Sequence, residues 1–155
     1  MQQNKITNPE QNTDISLPKE GRIIAIDPGT KRCGIAVCDE LRLTTRPLPF
    51  IERKSWKKLL LDIKDLVSEF DAKALVIGLP INTDGSESEM SSEARDMARK
   101  FGLSLEIPVY LQDERVTSYE AKGRLWERGL SLSEARKLVD SEAAAIILRD
   151  FLAGS

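Results

Sequence analysis

The sequence predicts an α/β domain on one mixed sheet: three antiparallel strands, then two parallel strands, with helices on both faces. Three observations carry this. The folded part opens with β-branched and apolar runs separated by short turns, as in a meander. Beyond it, segments with apolar residues every three or four positions alternate with short continuous apolar runs. That helix, strand, helix, strand order requires right-handed crossovers and parallel pairing. Finally, 155 residues at 41% hydrophobic content suffice for one core and are too few for two large lobes.

Residues Met1 to Glu20, "MQQNKITNPEQNTDISLPKE", are rich in polar and charged residues without an apolar period. They are expected to form a disordered or loosely attached tail, leaving 21–155 as the folded domain. Strands are expected from Arg22 to Ile26 and from Cys33 to Cys38, joined by a turn at Pro28-Gly29-Thr30. Leu43 to Glu52 is a third strand, and Pro47 and Pro49 place it near an edge. Ser55 is a candidate cap for a helix whose apolar face is Trp56, Leu59, Leu60, Ile63, Leu66, Val67 and Phe70.

Ala74 to Leu79, "ALVIGL", reads as a strand covered on both faces, with Pro80 at its end. The polar stretch "INTDGSESEMSS" is a loop, and Asp84-Gly85 is its sharpest turn signal. Ser92 to Phe101 repeats the helical period through Ala94, Met97, Ala98 and Phe101, and Val109 to Gln112 is another short strand. Two helices close the chain. Thr117 with Glu120 and Ser131 with Glu134 fit capping-box spacing, and the second helix is expected from about Ser133 to Leu152, with Asp140 near its middle.

Composition removes several function classes. The longest apolar runs fall well short of the ~18 residues that span a bilayer, and the polar N-terminus has no secretory apolar core, so a soluble cytoplasmic protein is expected. Cys33 and Cys38 lie on one predicted hairpin, and with no histidine in the chain they read as buried thiols. A net charge of -2 and a pI near 5.4 argue against broad, charge-driven coating of nucleic acid. A local basic patch beside an acidic site is compatible with both values.

The chemistry concentrates at strand ends, where ligands collect in sheets with parallel strands. Asp27 ends the first strand, Asp113 and Glu114 end the last, and Asp140 sits among Ala and Ile on a helix able to cross those ends. Clustered carboxylates repel unless a cation lies between them. Hard oxygen ligands select Mg²⁺ or Mn²⁺, and a pair of such ions about 4 Å apart activates water and stabilises the leaving oxygen of a phosphodiester. Lys31, Arg32 and Arg115 flank the acids and are candidates for holding substrate phosphates. Each residue also has a plainer reading. Asp27 can initiate a turn, one of Asp113 and Glu114 can cap or pair, Asp140 can be a solvated helix residue, and Lys31 and Arg32 can be an exposed hairpin edge.

Four ordered stretches, "AIDPGTKRCGIAV", "VIGLPINTDGSESE", "DERVTSYEA" and "VDSEAAAIIL", resemble the YqgF/RuvX family of pre-16S ribosomal RNA nucleases. The resemblance covers Arg22 to Phe151. It implies a ribonuclease H-like fold related to the RuvC-type Holliday junction resolvases, and a role in maturing the 5′ end of small-subunit rRNA in the bacterial cytoplasm. It also implies metal ligation by Asp27, Glu114 and Asp140. Asp113 is a close substitute for Glu114, because strand alternation lets only one of the two face the site. Arg115 and Thr117 resemble substrate-side residues, and Asn82, Asp84 and Gly85 resemble a family loop near the site. Pro28 replaces an aromatic residue common in relatives, and "VTS" follows "DER" where Leu-Thr-Thr is common; neither departure touches a proposed ligand.

Three rivals remain open. The turn after Asp27 also resembles the phosphate-binding turn of actin and hexokinase ATPases, but those need two lobes. A RuvC-type resolvase acting on branched DNA would carry a glutamate on the middle strand, where this chain has "ALVIGLP". A non-catalytic RNA-binding assembly factor would have no need of all the matched acids. The expected partners are precursor 16S rRNA and small-subunit precursors, with the chain acting as a monomer or a homodimer and no membrane involved. The hairpin of Cys33 and Cys38 is one candidate dimer surface.

Overall fold

The computed structural model describes residues 4–6, 17–29, 31–82, 84–114 and 132–154, with only the backbone for residues 4–6 and 132–140. Along the chain run β1 (Asn4–Ile6), β2 (Ile23–Pro28), β3 (Arg32–Cys38), β4 (Thr45–Glu52), α1 (Trp56–Phe70), β5 (Ala74–Pro80), α2 (Glu89–Ser104), β6 (Val109–Glu114) and α3 (Leu132–Ala153). The sheet order is β1-β6-β5-β2-β3-β4. Strands β2, β3 and β4 form the antiparallel meander, while β5 pairs parallel with both β2 and β6. This is the mixed sheet expected from the sequence, and proline-bearing β4 is an edge.

Alternation along the strands sorts the core into two layers. Ile24, Ile26, Ile35, Leu75, Ile77 and Leu111 face α1 and α2 through Leu59, Ile63, Ala94, Met97 and Phe101. Ile23, Ala25, Ala36, Cys38, Val76 and Tyr110 face α3 through Ala144, Ile147, Leu148 and Phe151. Because β2 and β5 are apolar on both faces, neither could serve as a one-sided sheet strand, and helices on both sides follow.

Local signals explain the boundaries. The Ser55 hydroxyl accepts the Lys58 N–H and starts α1, and Asp71, left-handed at φ 50°, ends it. Helix α2 begins before the expected Ser92, because Ser88 and Ser91 form a reciprocal capping box that the apolar period does not reveal. The β3–β4 turn is held by Asp39, whose carboxylate accepts the N–H groups of Leu43 at 2.8 Å and Thr44 at 2.7 Å. Those bonds hold its pKa below the usual carboxylate range. They also delay β4 from the expected Leu43 to Thr45.

Two findings differ from the sequence reading. Asn4–Ile6, inside the stretch expected to be a tail, pairs antiparallel with β6, and Leu17 packs on the α3-side core. Strand β6 would otherwise present an open row of backbone groups, so three residues with no apolar period still find ladder partners. Strand β2 also runs past Ile26, with Asp27 opposite Gly34 and Pro28 opposite Cys33. Both cysteines are buried free thiols, as expected. The helix expected after Thr117 lies outside the described residues. No helix among the described residues is long and apolar enough to cross a membrane.

Candidate active site

Asp27 stands at the carboxyl end of the central strand. The register sets its side: Ile24 and Ile26 face α1 and α2, so Asp27 shares the α3 face with Ile23 and Ala25. The same parity puts the two acids at the end of β6 on opposite faces. Val109 and Leu111 face α1 and α2, which puts exposed Asp113 on their side, while Gln112 and Glu114 follow Tyr110 onto the α3 face. Glu114 is half-buried, and its Oε2 is withdrawn from solvent. Asp27 and Glu114 therefore share one face and one end of the sheet, two strand spacings across and two residues along, or about 12 Å between their backbones.

The strand between them keeps that face low. Strand β5 presents Gly78 and Pro80 there, with Gly78 opposite Gln112 and Pro80 opposite Glu114. A Cβ on Gly78 would lie 2.4 Å from Ile147 Cδ1, so the glycine is the notch into which α3 packs. Helix α3 is fixed a second time at its other flank. The buried Ser141 hydroxyl accepts the Ile35 N–H at 3.1 Å, beside an irregularity in the β3–β4 ladder. Asp140 immediately precedes Ser141, so its backbone lies beside the β3 segment whose Gly34 pairs with Asp27. The Asp140 side chain is outside the described residues. Among the described residues, no three acidic, histidine or cysteine side chains gather as a metal-holding group.

The turn behind Asp27 is clamped by Arg53. Its N–H donates to the Lys31 carbonyl at 2.9 Å, and its Nη1 donates to the Gly29 carbonyl at 2.8 Å. A Cβ on Gly29 would lie 2.2 Å from the Arg32 carbonyl oxygen, so this close turn requires glycine. Lys31 and Arg32 are exposed, and the Arg32 guanidinium lies 5.0 Å from the centre of the Phe50 ring.

On the far side, the Ile81 N–H donates to the Glu114 carbonyl at 3.3 Å and ties the loop after β5 to the end of β6. Within that loop Asn82 Nδ2 donates to Ser86 Oγ, the Asp84 carboxylate accepts from the Ser86 N–H, and Gly85 takes φ 88°. Asn82 is thus exposed on a built turn beside Glu114's strand end. Arg115 and Thr117 lie outside the described residues.

Sequence reasoning passed over Arg53, Gly78, Ser141 and the buried Gln112 and Glu142. Only Gly78 carried a signal, as a lone glycine inside an apolar strand, which marks close approach of another element.

The fold, a mixed sheet with helices on both faces, is of the RuvC type. Thermus thermophilus RuvC, solved in complex with a Holliday junction substrate, superimposes with a TM-score of 0.52 at 18% identity, covering 86% of this chain and 97% of that one. The chain belongs to the RuvX family, described as Holliday junction resolvase, which it matches over residues 21–154. A relative from Anaeromyxobacter dehalogenans, named "Putative pre-16S rRNA nuclease", is 40% identical over 131 residues, covering 84% of this chain and 96% of its own. One of the same name from Novosphingobium aromaticivorans is 41% identical over 144 residues, covering 90% and 92%.

Proposed function

We propose that this chain is a divalent-metal-dependent nuclease that hydrolyses phosphodiester bonds of precursor 16S rRNA during 5′-end maturation in the bacterial cytoplasm. One observation carries the reading: Asp27 and Glu114 share the sheet face crossed by the helix that bears Asp140. The family match and the names of its relatives support the substrate.

The donor set fits the ion. Asp27, Glu114 and Asp140 offer only carboxylate oxygens, in a chain without histidine, which suits Mg²⁺ or Mn²⁺ over softer metals. Two such ions, when bound, supply an acidified water and a counter-charge for the leaving oxygen. The chain's own residues do the rest. Asp27 and Glu114 hold their carboxylates on the two flanks of β5, where Gly78 seats Ile147 of α3 and Pro80 lies beside Glu114. Lys31, Arg32 and Arg115 orient the phosphates, with Asn82 and Thr117 on the substrate side. Asp113, on the opposite face, has no part in metal binding.

The test incubates the protein with a precursor rRNA fragment and with a four-way junction DNA, each with Mg²⁺, Mn²⁺ or chelator. Metal-dependent cutting of the RNA is expected, together with its loss in Asp27→Asn and Asp140→Asn. Unchanged turnover in both variants would overturn the site. Junction cutting at a rate equal to or above that on RNA would transfer the activity to branched DNA. Sedimentation of the same preparation distinguishes monomer from homodimer.

A further inference from the structure

We infer that the corner where β4 passes into α1 is the track along which the substrate's phosphodiester backbone leaves the cleavage site; this rests on the nuclease reading above. The sequence there is "FIERKSWKK", with Arg53, Lys54, Lys57 and Lys58 against a single acid, Glu52, in a chain whose net charge is -2. The fold joins these cations to a second group. Arg32 pairs across the ladder with Glu52, and the Arg53 N–H donates to the Lys31 carbonyl at 2.9 Å. Lys31 and Arg32 thereby continue into Lys54, Lys57 and Lys58 as one strip.

The strip is solvated and rich in basic residues. Lys31, Arg32, Lys54, Lys57 and Lys58 are exposed. Three of its cations meet carboxylates, Lys54 with Glu52, Lys58 with Asp62 and Arg53 with Glu93. The pairs on the two lysines are exposed ion pairs of little worth, so incoming phosphates displace them at small cost. Strand β4 runs parallel to β2, so this corner and Asp27 lie at the same end of the sheet. The two strands are two spacings apart, about 10 Å, which a nucleic acid strand covers in roughly three nucleotides. On the α1 and α2 side of the sheet, opposite the face that carries Asp27 and Glu114, the strip borders a recess of about 360 Å³ walled by Arg53, Lys54, Trp56, Lys100 and the acids Glu93 and Asp96. A flexible single strand reaches the strip from Asp27 by passing round this end of the sheet, along exposed Lys31 and Arg32.

The test measures binding of a fluorescein-labelled single-stranded RNA by anisotropy in chelator, across a salt series. Lys54→Gln/Lys57→Gln is expected to bind roughly tenfold more weakly at low salt. Its slope of log affinity against log salt should be shallower than wild type by about 1.4, the effect of two lost phosphate contacts on a single strand. Lys73→Gln, just before β5 at the opposite end of the sheet, should bind as wild type does. Equal affinity and slope in the double variant and wild type would overturn the assignment, as would wild-type protein that binds no RNA. Cutting is read separately with Mn²⁺ and Asp27→Asn. Corner-dependent binding without cutting would refute the nuclease reading alone, and cutting with an unaltered salt slope would refute the track alone.

Discussion

The hydroxyl of Ser141 accepts the backbone N–H of Ile35 at 3.1 Å, joining α3 to the middle of β3 across 106 residues of sequence. Both residues are fully buried. This bond fixes the segment of α3 that carries Asp140 beside the strand paired with Asp27. Ser141→Ala leaves the Ile35 N–H buried without that acceptor, and the expected cost is about 1–3 kcal/mol. A urea melt of the two proteins measures it. An unchanged midpoint would show that the helix is held by its apolar contacts alone.

Gly78 and Ile147 form the second anchor. A methyl group at Gly78 would meet Ile147 Cδ1 at 2.4 Å and Cγ1 at 3.2 Å, while backbone approaches no closer than 3.6 Å. The conflict is with a side chain, so it can be relieved. Gly78→Ala is expected to destabilise by about 1–3 kcal/mol through overpacking. Ile147→Val, which alone costs about 0.5–1.5 kcal/mol, should recover part of that loss in the double variant. Additive losses in a double-mutant cycle would place the strain elsewhere.

The parts of the fold legible in the sequence were those written as a repeat of apolar positions. The face of α1 from Trp56 to Phe70 and the run Ala74 to Leu79 declare themselves because burial demands a period or a continuous apolar stretch. Asn4–Ile6 carries no such period; it is ordered through backbone pairing with β6, which any side chain allows. The start of α2 rests on two serines bonded to each other, a local device without an apolar mark. At the site, Asp27 was visible as a carboxylate ending an apolar run. The choice between Asp113 and Glu114 depended on the register of β6, which is set by the distant neighbours of Leu111 and Tyr110. Ser141 and Arg53 act through backbone atoms of remote segments and look ordinary in sequence.

Burial pushes the Cys33 thiol from its ordinary 9.0 up to about 11, with the Arg53 charge opposing the shift only in part. The folded state thus holds the proton more tightly than the unfolded chain does. The stability it contributes is present below pH 9 and is lost as pH rises from about 9 through about 11. Urea midpoints of wild type and Cys33→Ala between pH 8 and pH 11 should converge as pH rises, because only the wild type carries this loss. Parallel curves would show that Cys33 ionises alike in both states. The buried thiol should also react with iodoacetamide at pH 8.5 at least ~100-fold more slowly in native protein than in urea.

The two neighbouring acids at the end of β6 give the sharpest contrast, since they differ by one position and one methylene. Glu114 shares the α3 face with Asp27, whereas Asp113 is exposed on the face of α1 and α2. A strand cannot turn both side chains to one face without a slip of register, and β5 pins the register through Leu79 opposite Asp113 and Pro80 opposite Glu114. Glu114→Gln removes the charge and keeps the shape, so metal-dependent cleavage should fall by at least ~100-fold. Asp113→Asn should leave it within about threefold, as expected for an exposed side chain away from the reacting atoms. Single-turnover cleavage of a precursor rRNA fragment in Mn²⁺ measures both, with thermal melts confirming that each variant folds. A large loss in Asp113→Asn with little in Glu114→Gln would mean that the strand end rotates when substrate binds, and would move the proposed ligand to the other face.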